Sequence, residues 1–134
     1  MKVSTKGRYA LRMMIDLAKQ QKGDSFVPLR DIADRQGIEI KYLEQIVSLL
    51  KKSGLIQGVR GNSGGYRLTR DPAQYTVREI LQVTEGNLAP VACLDNPANP
   101  CPRREGCPTL AFWEDFSQCI GDFLEKRTLQ DFLS

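Results

Sequence analysis

Arg60-Gly61-Asn62-Ser63-Gly64-Gly65 stands between two short apolar runs, Leu55-Ile56 with Val59 and Tyr66 to Thr69. Three glycines in six positions are incompatible with a helix or a packed strand, because glycine loses the most backbone freedom on ordering and offers no side chain to bury. The run therefore predicts a tight hairpin tip joining two strands. A phosphate-binding loop is disfavoured, since neither a Lys-Ser/Thr pair nor a helix follows the glycines.

Three helices are expected before the hairpin. From Gly7 onward Tyr9, Ala10, Met13, Met14 and Leu17 recur at helical spacing, with Arg8, Arg12, Asp16 and Lys19 elsewhere on the wheel. Lys22-Gly23-Asp24 closes this helix. A short second helix follows Pro28, with Leu29, Ile32 and Ala33 inward, and Gly37 ends it. In the third, from about Ile40, Leu43, Ile46, Val47 and Leu50 fall at i, i+3, i+4 and i+7. Two short helices joined by the glycine-bearing turn RQGIE form a helix-turn-helix pattern. The inward set leaves Lys41, Tyr42, Glu44, Gln45 and Ser48 on the remaining surfaces. Those are the donors and acceptors a recognition helix needs to reach base edges in a major groove. A hairpin directly after such a helix is a wing, with Arg60 at its base placed for a phosphate or a narrow minor groove.

Charge supports this division. Residues 1–70 hold 14 Lys/Arg against 6 Asp/Glu, a net of +8, whereas residues 71–134 hold 5 against 10, a net of −5. A basic half beside an acidic half is the footprint of a nucleic-acid-binding module joined to something that does not touch nucleic acid. The expected fold is mainly α with a small β wing. A winged helix-turn-helix domain over 1–75 precedes a cysteine loop and a long C-terminal dimerisation helix over 76–134.

In the acidic half, Thr76 and Glu79 read as a capping box opening a helix with Val77, Ile80, Leu81 and Thr84 on one face. A long proline-rich stretch follows, from Asn87 to Pro108. A last long helix is expected from about Thr109 to Lys126, carrying Phe112, Phe116, Cys119 and Phe123 in a stripe broadened by Trp113, Ile120 and Leu124. A chain this small has little to cover so many aromatics, so the same helix of a second subunit is the economical partner. The alternative is a helix lying on its own domain. Thr128 to Asp131 predicts a short final helix.

Cys93, Cys101 and Cys107 all lie in CLDNPANPCPRREGC, spaced C-x7-C-x5-C. The spacing lacks the C-x2-C knuckle of structural zinc sites. Thiolates on such a loop suit either an iron–sulfur cluster or redox-active thiol chemistry, and the residues leave both open. The N-terminus has no unbroken apolar core and no small-residue cleavage site, and no run reaches the length of a membrane span. A cytoplasmic chain with no membrane partner is the expectation. With no histidine there is no Ser-His or Cys-His pair, and a thiol oxidoreductase would want C-x-x-C beside a βαβ unit. No enzyme is expected.

STKGRYAL, YLEQIVSLLKKSGLI and VRGNSGGYRL, in that order, closely resemble the IscR/NsrR/CymR family of bacterial winged-helix transcription regulators. The likeness runs from about Lys2 into the last long helix. It implies a homodimer on a double-stranded DNA operator, with Glu44 and Gln45 reading bases from a recognition helix that also presents Lys41 and Tyr42. Arg60 would enter the minor groove from a wing shaped by Gly61, Gly64 and Gly65, and Lys6 and Tyr9 would touch the backbone. Lys41 stands where IscR-type members commonly carry a small polar residue. IscR-type members hold an iron–sulfur cluster on three cysteines of this loop, whereas CymR-like members lack them, so the resemblance favours a cluster on Cys93, Cys101 and Cys107, of 2Fe–2S rather than 4Fe–4S type and prone to loss in air. IscR has a histidine three residues after its third cysteine, where this chain has Leu110. The fourth ligand would then be Cys119, an acid such as Glu105 or Asp95, or a partner residue. NsrR-type members take a carboxylate from near the start of the partner chain, where the matching region here offers Arg8. Cys119, on an apolar stripe, is expected to be a core residue.

Overall fold

The computed structural model describes residues 2–61, 64–95 and 101–133. Helix α1 (Thr5–Gln20) begins two residues before Gly7, because the Ser4 hydroxyl accepts a hydrogen bond from the Gly7 N–H at 3.0 Å and so caps the first turn. Helices α2 (Leu29–Gln36) and α3 (Ile40–Lys52) follow, separated by Gly37 in the left-handed conformation, φ 64°. Strands β1 (Ile56–Val59) and β2 (Gly65–Leu68) pair antiparallel, with Ile56 opposite Leu68 and Val59 opposite Gly65. Helix α4 (Val77–Glu85) and helix α5 (Leu110–Lys126) complete the set, joined by the cysteine loop. A 3₁₀ turn at Leu129–Phe132 follows α5, with Thr128 and Asp131 forming a full capping box.

One core underlies α1 to α4 and the wing. Met13, Met14 and Leu17 of α1, Ile32 of α2, and Leu43, Ile46 and Leu50 of α3 are fully buried together with Leu55, Ile80 and Leu129. Each such side chain contributes on the order of 1.5–3 kcal/mol by leaving water. Tyr75 is also fully buried, and its hydroxyl is satisfied there. It donates to the Leu55 carbonyl at 2.7 Å and accepts from the Thr69 N–H at 2.8 Å, tying the chain after the wing to the turn before β1. The wing is anchored at its other side by Val27, which exchanges two backbone hydrogen bonds of 2.8 Å with Tyr66. Gly65 permits this approach, because a Cβ there would collide with the Val27 carbonyl.

Three expectations need correction. Asp16, set apart from the apolar face of the first helix, is buried all the same, because α2 packs over that side of α1 and supplies partners for its carboxylate. Thr76 does cap α4, but Glu79 does not complete the box; its carboxylate is drawn to Arg70 instead, with bonds of 2.9 and 2.7 Å. A guanidinium offers two charge-assisted bonds where the cap offers one neutral N–H. Cys119 is exposed in this chain rather than buried in its core. Helix α5 has no buried residue: it rests on α4 through one flank, with Trp113, Ile120 and Leu124 only half-buried, and turns Phe112, Phe116, Cys119 and Phe123 outward. Phe112 is 63% exposed, Phe116 44% and Phe123 55%.

Candidate nucleic-acid interface and cysteine loop

The apolar period of α3 that fills the core also decides what faces outward. With Leu43, Ile46, Val47 and Leu50 buried, Lys41, Glu44, Gln45 and Ser48 form one exposed polar face. Tyr42 is half-buried at the helix edge. Its ring meets Tyr9 of α1 edge-on, with centroids 5.7 Å apart, and the Arg12 guanidinium lies 5.1 Å above the Tyr9 ring. Lys6, one turn before Tyr9, is half-exposed. The structure thus brings the Tyr9 and Tyr42 positions together beside the exposed face of α3.

The helix-turn-helix is locked by a polar network that sequence reasoning missed. Arg35 of α2 grips Asp16 with bonds of 3.0 and 2.8 Å, and the Gln36 amide donates to the same carboxylate at 2.9 Å. Arg12 in turn donates to the side chain and the carbonyl of Gln36. Asp16 holds Arg35 more firmly protonated than a free arginine, mainly through those hydrogen bonds. The network fixes α2, and with it the turn that aims α3. The only sequence signal was the place of Asp16 at the edge of an apolar arc.

Across the sheet, Arg60 and Gly61 are exposed at the end of β1, and Gly64 and Gly65 are half-buried where the chain returns. Asn62 and Ser63, the expected tip, lie outside the described residues. Gly61 adopts φ 117°, a conformation that favours glycine. The wing is held by Arg67, which donates to Gln57 and to the Asp24 carbonyl and stacks 4.5 Å above the Phe26 ring. Lys51 of α3 approaches the Tyr66 ring at 6.0 Å, so helix and wing share one edge.

Cys93 lies in a 3₁₀ turn at Ala92–Leu94, and all three loop thiols are half-buried and free. The Arg104 N–H donates to the Cys101 carbonyl, and the Cys107 N–H to the Arg104 carbonyl, so two successive turns link these cysteines. Cys107 sits just before α5. Its sulfur is 3.6 Å from the Thr109 hydroxyl, and the N–H groups of Thr109 and Leu110 with that hydroxyl lower its thiol pKa. Three free thiols, one of them biased toward thiolate, fit an iron–sulfur cluster in donor type. Among the described residues, however, no three Cys, Asp or Glu side chains converge to metal-binding distance. No helix among them is long and apolar enough to cross a membrane.

Residues 3–134 match a family model described as Rrf2, iron-dependent transcriptional regulator. The chain is 39% identical over 132 residues to the HTH-type transcriptional regulator IscR of Xenorhabdus nematophila, covering 98% of this chain and 78% of that protein. Among solved structures it resembles CymR, the global cysteine regulator of B. subtilis, at 34% identity and TM-score 0.83, covering 99% of this chain and 96% of that one. It also resembles T. potens IscR, at 37% identity and TM-score 0.76, covering 99% and 86%.

Proposed function

The chain belongs to the Rrf2 family of transcriptional regulators, and on that premise we propose that it is a homodimeric operator-binding regulator whose DNA affinity follows the state of an iron–sulfur cluster held by Cys93, Cys101 and Cys107. The observation that carries this reading is the placing of three free thiols on the segment leading straight into α5, a helix with an uncovered aromatic face.

Base reading is assigned to Lys41, Tyr42, Glu44 and Gln45, the polar positions of α3. Arg60 with Gly61, Gly64 and Gly65 is assigned to the wing's contact with the minor groove, and Lys6 and Tyr9 to backbone contacts that set the register. Residues 1–75 then supply the DNA-binding surface and 76–134 the sensing loop and the dimer helix. This is a division of labour and not of folding, since Ile80 and Leu129 share the core of α1 to α3. When bound, a cluster would supply an oxidisable, air-sensitive cross-link among three points of the loop. Cys107, leaning on the α5 N-terminus, would carry a change in the loop to the helix that sets the spacing between two recognition helices. Two partners bound as a pair read two half-sites about one helical turn apart. The cluster is proposed as the 2Fe–2S type.

Cys119 is left out of the ligand set. It stands nine residues along α5 from Leu110, a rise of about 13 Å at 1.5 Å per residue, and so is carried away from its own chain's loop. Anaerobic purification with visible absorption and iron and sulfide assay tests the whole reading. The wild type and Cys119→Ser are expected to be coloured, and Cys93→Ser, Cys101→Ser and Cys107→Ser each colourless. A second reading is favoured by the lowered pKa of Cys107: a cluster-free thiol switch in which an oxidant of the peroxide class takes two electrons from two loop thiols, closing a disulfide and leaving as water. Iron-free protein that forms a reducible disulfide between two loop cysteines would establish it in place of the first.

A further inference from the structure

A polar hollow of about 340 Å³ lies between α4, α5 and the start of the cysteine loop, and a second, adjoining opening shares Arg78, Leu94, Ser117 and Gly121 with it. Its volume is at the lower end of the range for small-molecule sites. We propose that this hollow binds a small zwitterion of the α-amino-acid class, its carboxylate on Arg78 and its ammonium on Glu114.

The argument begins with Gly121. Glycine is the least favoured residue short of proline inside a helix, and this one sits deep within α5. Its missing side chain leaves room for Arg78 of α4: a Cβ on Gly121 would stand only 3.3 Å from Nη1 of that guanidinium. Arg78 thereby lies against Gly121 in the lining of the hollow, yet it is poorly partnered there. The nearest carboxylate oxygen among the described residues belongs to Glu125, at 3.8 Å, beyond hydrogen-bonding distance. A planar guanidinium with donors to spare is suited to a bidentate carboxylate.

The surrounding charge selects the ligand class. Glu114 lines the second opening beside Arg78, while Glu125 approaches Arg78 from outside the lining, so the hollow itself offers one cation and one carboxylate. A simple anion would answer Arg78 but not Glu114, and a simple cation the reverse. A molecule carrying both charges a few bonds apart satisfies each, with Gln82 and Ser117 on the lining as neutral hydrogen-bonding groups. The opposite wall is pre-formed. Asn87 accepts from the Ala89 N–H at 2.6 Å and donates to the Asp95 carbonyl, closing the loop from 87 to 95 on itself. Leu94, next to Cys93, belongs to that wall, so an occupant would rest against the cysteine loop. The hollow also lies on the flank of α5 away from Phe112, Phe116 and Phe123, so a second copy seated on the aromatic stripe leaves it open.

The test uses the full-length protein, the twenty free amino acids, and acetate and methylamine as single-charge probes, read by saturation-transfer NMR and calorimetry. At least one amino acid is expected to bind the wild type, and more tightly than either single-charge probe. Arg78→Gln is expected to weaken it roughly tenfold or more, the loss of charge-assisted hydrogen bonds. Gly121→Ala, which improves helix propensity while pushing the guanidinium aside, is expected to weaken it less, and serves where Arg78→Gln fails to fold. Failure of every amino acid to bind, binding unchanged in a folded Arg78→Gln or in Gly121→Ala, or acetate binding as well as the amino acid would overturn the proposal.

Discussion

The body formed by α1 to α4 with the wing, and the long helix α5 with its cysteine loop, are made of similarly apolar sequence but solve the burial problem in opposite ways. The body closes on itself. Its apolar faces meet in one core, and its buried polar groups, Asp16 and the Tyr75 hydroxyl, are fully hydrogen-bonded. Helix α5 contributes nothing fully buried and presents three phenylalanines to solvent. Contiguous exposed aromatics on one helix face mark a surface meant to be covered. The difference teaches that this chain holds one part whose apolar faces are all covered within itself and another whose aromatic face is not, and the proposed regulation is placed on the second.

The contrast can be broken most severely in the body. Ile46→Ala removes a fully buried side chain and is expected to cost on the order of 2–5 kcal/mol by urea denaturation. Arg35→Ala should follow at about 3 kcal/mol, because it leaves the Asp16 carboxylate buried with Gln36 as its remaining side-chain partner. A loss below about 1 kcal/mol would show that the α1–α2 clamp is not needed to hold the turn.

Helix α5 should respond differently. Phe116→Asp is expected to leave far-ultraviolet circular dichroism intact while halving the mass seen by light scattering, because the side chain is exposed within the chain and, in the proposed dimer, would be covered only by a partner. A wild type that is monomeric at micromolar concentration would remove the proposed dimer. On the reading head, Arg60→Ala should weaken operator binding by about 1–3 kcal/mol without altering stability, and reduce its salt dependence by roughly one ion. Equal affinity of the two proteins in a mobility-shift titration would take Arg60 out of the interface.

The smallest effect is expected at Cys107. The Thr109 N–H, the Thr109 hydroxyl and the Leu110 N–H favour the thiolate, so alkylation of Cys107 should reach half its maximum rate at lower pH than alkylation of a cysteine in a short unstructured peptide. Thr109→Val removes only the hydroxyl and should move the Cys107 profile part of the way back to higher pH. A Cys107 profile in the parent protein identical to that of the peptide cysteine would show that the helix start does not tune this thiol.

Much of the body was legible residue by residue. The i, i+3, i+4, i+7 pattern of α3 named its four buried residues, and Gly37 and the glycines after Arg60 marked the turns that the chain in fact makes. The resemblance to winged-helix regulators rested on those same segments. The polar face of α3 followed by subtraction, since a helix with one buried arc must expose the other. The aromatic stripe of α5 was equally visible, but its division into a flank on α4 and an uncovered face was not, because periodicity names an apolar arc without saying which neighbour covers which part of it.

What the sequence by itself determined is therefore local: the helix faces, the turns, the wing, and three thiols on one loop. Periodicity and backbone preference act over a few residues and can be read there. Only the tertiary structure decided which charges go inside and whom they meet. Asp16 is buried because Arg35 and Gln36, nineteen and twenty residues later, arrive to receive it. Glu79 leaves its cap because Arg70 lies across the turn. Gly121 has a reason only once Arg78 is seen to lie against it. Each depends on groups brought together by packing, and the energy of an ion pair or a close contact is set by distance in space, on which separation along the chain is silent.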